Sequence, residues 1–205
     1  MHISRLLLSA ALFGTHSIAA ETNDVFAVIA AAAAAVAAHQ KDAAGVPQFV
    51  QNVNEVAPQF ALLLGNTAHE SGDFYYTEEI MCAGVSGPTS KCPYGWYHGR
   101  GYIQISWKDN YSKCGDAIGY DLVNNPDLVM YDPSVNWATV SWYWETSVQP
   151  TLQKRGYTLG SSVYSINGYL ECGSLGGGSV QGGRVKRIQC FQSHLTGSVD
   201  YDTSC

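Results

Sequence analysis

Three glutamates and one run of small polar residues carry the chemistry that this sequence can do. Glu70, in Ala68-His69-Glu70-Ser71-Gly72-Asp73-Phe74, stands where helical spacing calls for an apolar side chain. Steps of three and four back from it give Thr67, Leu63, Phe60 and Val56, a stripe that would face a core. Gly72 reads as the left-handed residue that stops the helix, which puts Glu70 in the last turn. There the helix dipole, the unpaired carbonyls and partial burial all favour the protonated carboxyl, the form a general acid needs. The competing reading is a glutamate turned to solvent at a frayed helix end.

Glu78 and Glu79 follow in the next loop. Two carboxyls in unlike environments are the minimum apparatus for cleaving a glycosidic bond: one donates a proton to the leaving oxygen, and the other activates water or attacks the sugar. Spacing along the chain fixes neither their separation nor which of Glu78 and Glu79 takes part, and loop glutamates are usually solvated surface. In Gly99-Arg100-Gly101-Tyr102-Ile103-Gln104-Ile105-Ser106 two glycines allow close backbone approach, and Gln104 and Ser106 share one face of an extended segment. Ser106 can there orient a water and Gln104 can bond a sugar substituent. A structural turn closed by an arginine–carboxylate bridge would use the same residues.

The elements that must position these groups are mostly helices. Asn23 or Asp24 caps a first helix through the alanine tract Ala30 to Ala38, and Asp42 to Asn54, with Gly45 and Pro47, reads as a loop. The helix ending at Glu70 follows. From Ser71 to Arg100 the chain is a long Gly-, Pro-, Ser- and Tyr-rich loop with Tyr75-Tyr76-Thr77 its one extended candidate. A further helix starts near Asp109, and Asp132-Pro133 opens another that carries Trp137, Trp142, Tyr143 and Trp144; such aromatics line sugar grooves, but core packing is the commoner use. The last segment has a Gly-rich loop from Gly173 to Gly183, without the GK[ST] ending of a phosphate-binding loop, and a final helix from about Arg184 to Leu195.

Composition narrows the function classes. The chain of 205 residues has a net charge of −6, which argues against nucleic acid or an anionic membrane as main partner. Arg5, the apolar run Leu6 to Phe13 and the small residues Ala19 and Ala20 form the pattern of a secretory signal peptide over residues 1–20, which leaves residues 21–205 as one exported domain. All six cysteines lie beyond that segment, and an even number in an exported chain implies three disulfides. No CxxC pair or histidine cluster is present, so neither a metal site nor a cofactor is expected.

His69-Glu70-Ser71-Gly72, the segment Tyr97 to Ser106, Asn110-Tyr111, Cys114 to Gly119, Asn124 to Val129, Ile166-Asn167-Gly168 and Glu171-Cys172-Gly173 together resemble the family 19 glycoside hydrolases, the chitinases. The resemblance runs in order over most of residues 21–205. It implies a mainly α, two-lobed, lysozyme-like domain with a substrate cleft and disulfide-stapled loops. It implies an inverting, secreted, monomeric endochitinase with Glu70 as general acid and Glu79, nine residues on, as general base. The water would be held partly by Ser106, between carboxyls that in inverting enzymes stand ~6.5–9.5 Å apart. His69, Gln104, Asn110 and Asn167 match positions that bind the chitin chain or support the cleft, and Arg184, with Arg187 a near alternative, matches an arginine that tunes the carboxyls. Cys82–Cys92 and Cys172–Cys205 match family disulfides, leaving Cys114 to pair with Cys190. Three positions depart from the pattern: His98 replaces an aromatic and brings a titratable group beside the cleft, Tyr102 replaces a common Pro, and Asp73 replaces a common Gly. Asn110-Tyr111-Ser112 is also a glycosylation sequon, and a glycan there would preclude ligand binding by Asn110. The lysozyme-like members of the family make peptidoglycan the alternative substrate, and a chitin-binding protein without catalysis is a third reading.

Overall fold

The computed structural model describes residues 48–172 and 182–205, with side chains from residue 57 onward. The expected signal segment, alanine-tract helix and most of the Gly-rich loop lie outside them. Seven α-helices occur among the described residues: α1 Gln48–Glu70, α2 Lys108–Ile118, α3 Leu128–Tyr131, α4 Pro133–Tyr143, α5 Gln149–Arg155, α6 Leu159–Glu171 and α7 Gly182–Thr196. A π-helical stretch, Trp144–Val148, joins α4 to α5 without a break. The domain is mainly α, as expected.

α1 is the axis of the site. It begins directly after Pro47, inside the segment read as a loop; the breakers Gly45 and Pro47 precede the helix, and Asn52 and Asn54 are carried within it. Nor does α1 bury only a stripe: every residue from Ala61 to Ala68 is buried. The reason is close contact with α7, where a Cβ on Gly65 would stand 2.4 Å from the Cα of Ile188. α6 approaches as well, and Asn66 Nδ2 donates to Ser162 Oγ at 2.9 Å.

Asp132 caps α4, its carboxylate accepting from the N–H groups of Ser134 and Val135, with Pro133 at the first helical position. The aromatics of this helix are core: Trp142 and Trp144 are buried, and Trp137 packs against Phe74 and Tyr102 at centroid distances of 5.7 and 5.2 Å. Between α1 and α2 the chain folds back on itself through two isolated antiparallel bridges, Glu78 with Arg100 and Arg100 with Ile105. Tyr102 to Trp107 is therefore not one extended run. Gln104 has φ 55°, and residues 101–104 form a turn that returns Ile105 to Arg100.

Disulfides join Cys82 to Cys92 within the long loop and Cys172, just after α6, to the C-terminal Cys205. The expected third bond is absent. Cys114 is buried in the apolar core on α2, whereas Cys190 sits exposed on α7, where Nδ1 of His194 lies 3.9 Å from its sulfur. An even cysteine count does not place two side chains on facing surfaces, and here one faces the core and the other solvent.

Candidate active site

Glu70 is the last residue of α1, with its side chain 21% exposed. The helix is stopped as the sequence implied: Gly72 has φ 56°, and Asp73 and Phe74 follow at φ 62° and 67°. A non-glycine residue pays for that conformation, and at Asp73 the compensation is visible. Its two carboxylate oxygens accept from Nε and Nη2 of Arg187, both at 2.6 Å, which ties the turn after Glu70 to α7.

One turn before Arg187 on α7, Arg184 is 1% exposed and reaches both α1 and α6. Its Nη2 donates to Oε1 of Glu70 and to Oε1 of Glu171, each at 2.6 Å, while Nη1 donates to Oδ1 of Asn66 at 3.0 Å. Glu171, at the end of α6 and also 1% exposed, further accepts from Nδ2 of Asn167 at 3.0 Å. Asn167 is the one residue inside α6 with non-helical backbone, φ −138° and ψ 30°. One guanidinium charge is thus divided between two carboxylates, one buried and one facing out. Arg184, not its neighbour Arg187, is the arginine on Glu70.

His69 lies half-buried beside this group. Burial first, and then the Arg184 charge, lowers its pKa, which leaves a neutral imidazole whose buried Nδ1 has no partner among the described residues. Tyr143, at the end of α4, has its phenol pKa raised by burial and then by the charge of Glu70.

Glu79 belongs to a second group built on the bridged loop. Its Oε1 accepts from the Tyr94 hydroxyl at 2.7 Å and its Oε2 from the Gly99 N–H at 3.0 Å. The Tyr94 phenol is pushed up to about 12, by burial first and then by the Glu79 hydrogen bond and charge, and so it stays a donor across the working range. A Cβ on Gly99 would lie 2.9 Å from Oε1 of Gln104 and 3.2 Å from Oε2 of Glu79, so any larger residue would displace these side chains. Gln104 and Glu79 therefore meet over the same bare backbone. Ser106 donates to the Gln104 carbonyl at 3.1 Å and Asn110 Nδ2 to the Ser106 carbonyl at 2.8 Å, which extends the group to the start of α2.

Glu78 points elsewhere. Consecutive side chains of an extended segment take opposite faces, and Glu78 accordingly meets Nε2 of His98 at 3.0 Å. His98 is 1% exposed and its Nδ1 lies 2.9 Å from the Gly95 carbonyl, so the histidine is a buried brace for Glu78, and together they border the cavity on this face. A shallow cavity of about 260 Å³ lies on this Glu78 face, bordered by Trp96, Arg100, Asp127 and Tyr131.

The expected residues thus fall into two sets: Glu70, His69, Asn167 and Arg184 at the meeting of α1, α6 and α7, and Glu79, Gln104 and Ser106 on the bridged loop with Asn110 at the start of α2. Sequence reasoning missed Asn66, Tyr94 and the role of Glu171. The signal for Asn66 and Glu171 was present, since both are polar residues at core-facing positions of apolar helices.

A mainly helical domain offering two carboxyls from separate elements, one on a guanidinium and one on neutral donors, has the groups that a glycoside hydrolase uses. The sequence profile of the chitinase class I family matches residues 8–161, and the chain belongs to that family, glycoside hydrolase family 19. Endochitinase EP3 of Arabidopsis thaliana is 36% identical over 138 residues, covering 64% of this chain and 50% of the relative. Basic endochitinase CHB4 of Brassica napus is 36% identical over 155 residues, covering 71% and 55%. The chain spans about half the length of the curated relatives it matches. Among solved structures, chitinase C from Streptomyces griseus HUT6037 superposes with a TM-score of 0.62 at 27% identity, covering 99% of this chain and 97% of the other. A class IV chitinase from Zea mays shares the fold, with a TM-score of 0.61 at 22% identity and coverage of 97% and 94%.

Proposed function

We propose that this chain is an exported endochitinase that hydrolyses β-1,4 bonds between N-acetylglucosamine units with inversion, Glu70 acting as general acid and Glu79 as general base. The observation that carries the reading is the contrast in how the two carboxyls are held. Glu70 gives one oxygen to Arg184 and keeps the other for a leaving group, at the end of a rigid helix. Glu79 is fixed through both oxygens by neutral donors, Tyr94 and the Gly99 N–H, an arrangement suited to a carboxylate that takes a proton from water. Ser106, anchored to the Gln104 carbonyl, retains lone pairs for that water. Gln104 and Asn110 would meet the sugar chain, while His69, Asn167 and Arg184 support it or hold the acid.

Two disulfides and the N-terminal pattern of residues 1–20 support export. No helix among the described residues is long and apolar enough to cross a membrane. A net charge of −6 favours near-neutral chitin over an anionic bacterial wall, and the chain is expected to act as a monomer. The test compares wild type, Glu70→Gln and Glu79→Gln on soluble chitin oligomers and on purified peptidoglycan, following the anomeric protons of the first products by NMR. Release of α-anomers from chitin oligomers, with both variants inactive, is the expected result. Cleavage of peptidoglycan alone would refute the substrate, and initial β-anomers would refute inversion.

A further inference from the structure

Trp107 breaks two local rules at one position. It is the N-cap of α2, where Ser, Thr, Asp or Asn supplies a side-chain acceptor, and indole supplies none. It also holds φ 73° and ψ 135°, backbone that glycine adopts freely and a bulky residue adopts at a cost. The conformation is fixed from both sides, because the Trp107 N–H donates to the Tyr97 carbonyl at 2.8 Å and its own carbonyl accepts from Asn110 and Tyr111 at 3.0 and 3.2 Å. Burial is no compensation, since the residue is 54% exposed. A side chain kept against cap preference, backbone preference and burial marks a site where something other than folding is served.

What the indole touches is Tyr94, edge to face at a centroid distance of 5.1 Å. Tyr94 in turn donates the 2.7 Å hydrogen bond to Oε1 of Glu79. The loop that carries Tyr94 has only short structure of its own, the single turns Ile80–Cys82 and Gly95–Tyr97, the Glu78–Arg100 bridge and the Cys82–Cys92 bond, so the ring needs a neighbour to define its place. We infer that Tyr94 and Trp107 are positioning residues for the base: the phenol fixes one oxygen of Glu79, and the strained backbone at Trp107 turns the indole so that it fixes the phenol. The inference rests on the reading of Glu79 as general base. The other Glu79 oxygen is already set by the Gly99 N–H, and two donors on different oxygens leave the carboxylate no rotation about its last bond.

The experiment measures kcat and KM on a soluble chitin oligomer for Tyr94→Phe, Trp107→Gly, Trp107→Phe and Glu79→Gln, with thermal unfolding of each. Tyr94→Phe frees one oxygen of the base to rotate, so kcat falls about tenfold, with KM changed less than about threefold. Trp107→Gly suits the backbone, so its unfolding temperature is unchanged or raised while kcat falls in the same direction as in Tyr94→Phe; Trp107→Phe restores the ring edge and most of kcat. Unchanged kcat in Tyr94→Phe would overturn the role of the phenol. Full kcat in Trp107→Gly would overturn the role of the indole. Full activity in Glu79→Gln would remove the base itself, an outcome separate from the other two.

Discussion

Arg184 is the group on which the acid side of the site depends, and Arg184→Met measures by how much. Methionine refills the volume of the aliphatic stem, so the substitution removes charge and hydrogen bonds without opening a large cavity. What remains is Glu171, 1% exposed, with its guanidinium gone and Nδ2 of Asn167 still donating at 3.0 Å. Breaking a buried ion pair from one side costs about 3–5 kcal/mol, because the surviving charge is left in a medium that does not solvate it. The Glu70 contact adds little, its side chain being 21% exposed and open to water. For a domain of this size the loss lowers the unfolding temperature by roughly 6–20 °C. Urea unfolding at pH 7 with the disulfides intact gives the free energy directly. Adding Glu171→Gln in the Arg184→Met background removes the stranded charge and recovers more than about 2 kcal/mol, so the two substitutions couple strongly. A cost below about 1 kcal/mol for Arg184→Met, or a double variant less stable than the single, would refute the account of Glu171 as a buried charge held by this arginine.

Two further outcomes follow from the same helices. His69 has a folded pKa below its ordinary 6.5, so the unfolded chain takes up the proton first as pH falls. Its contribution to stability is whole above pH 6.5 and is lost as pH drops through the interval down to the folded value. His69→Gln is therefore expected to flatten the decline of the urea midpoint below pH 6.5, and an unchanged slope would show that the imidazole is charged in the fold. Gly65→Ala places a methyl against the Cα and N of Ile188, at 2.4 and 2.8 Å, where only backbone can yield. It should cost about 3 kcal/mol and reduce turnover by parting the helices that carry Glu70 and Arg184, whereas Gly182→Ala, which meets nothing within 4 Å, should cost under about 0.5 kcal/mol.

Features set by neighbouring residues were readable in the sequence. The Gly72 stop, Glu70 in the last turn of its helix, the Asp132-Pro133 start and the final helix are local, because caps and left-handed glycines act within a turn. Features set by convergence were not. Asn66 and Glu171 lie more than one hundred positions apart, and Arg184 joins them only because α1, α6 and α7 meet. The same holds for the cysteines, where counting to an even number said nothing of Cys114 facing the core and Cys190 facing solvent.

The choice between Glu78 and Glu79 shows where the two kinds of information join. Residues next to each other cannot be told apart by composition or by distance along the chain. Family spacing favoured Glu79, but spacing carries no physical reason. The bridge between Glu78 and Arg100 supplies one: it holds this segment extended, and in extended backbone adjacent side chains must part to opposite faces. One face presents His98, braced against the Gly95 carbonyl and buried, and Glu78 is taken up there as its ion-pair partner. The other presents a phenol, a bare backbone N–H and Gln104, and Glu79 is the residue that the alternation delivers to them. A one-residue slip of the bridge would exchange the two glutamates and leave a histidine-bound carboxylate in the place of the proposed base, so the pairing register of a single bridge decides which glutamate meets Tyr94 and Gln104.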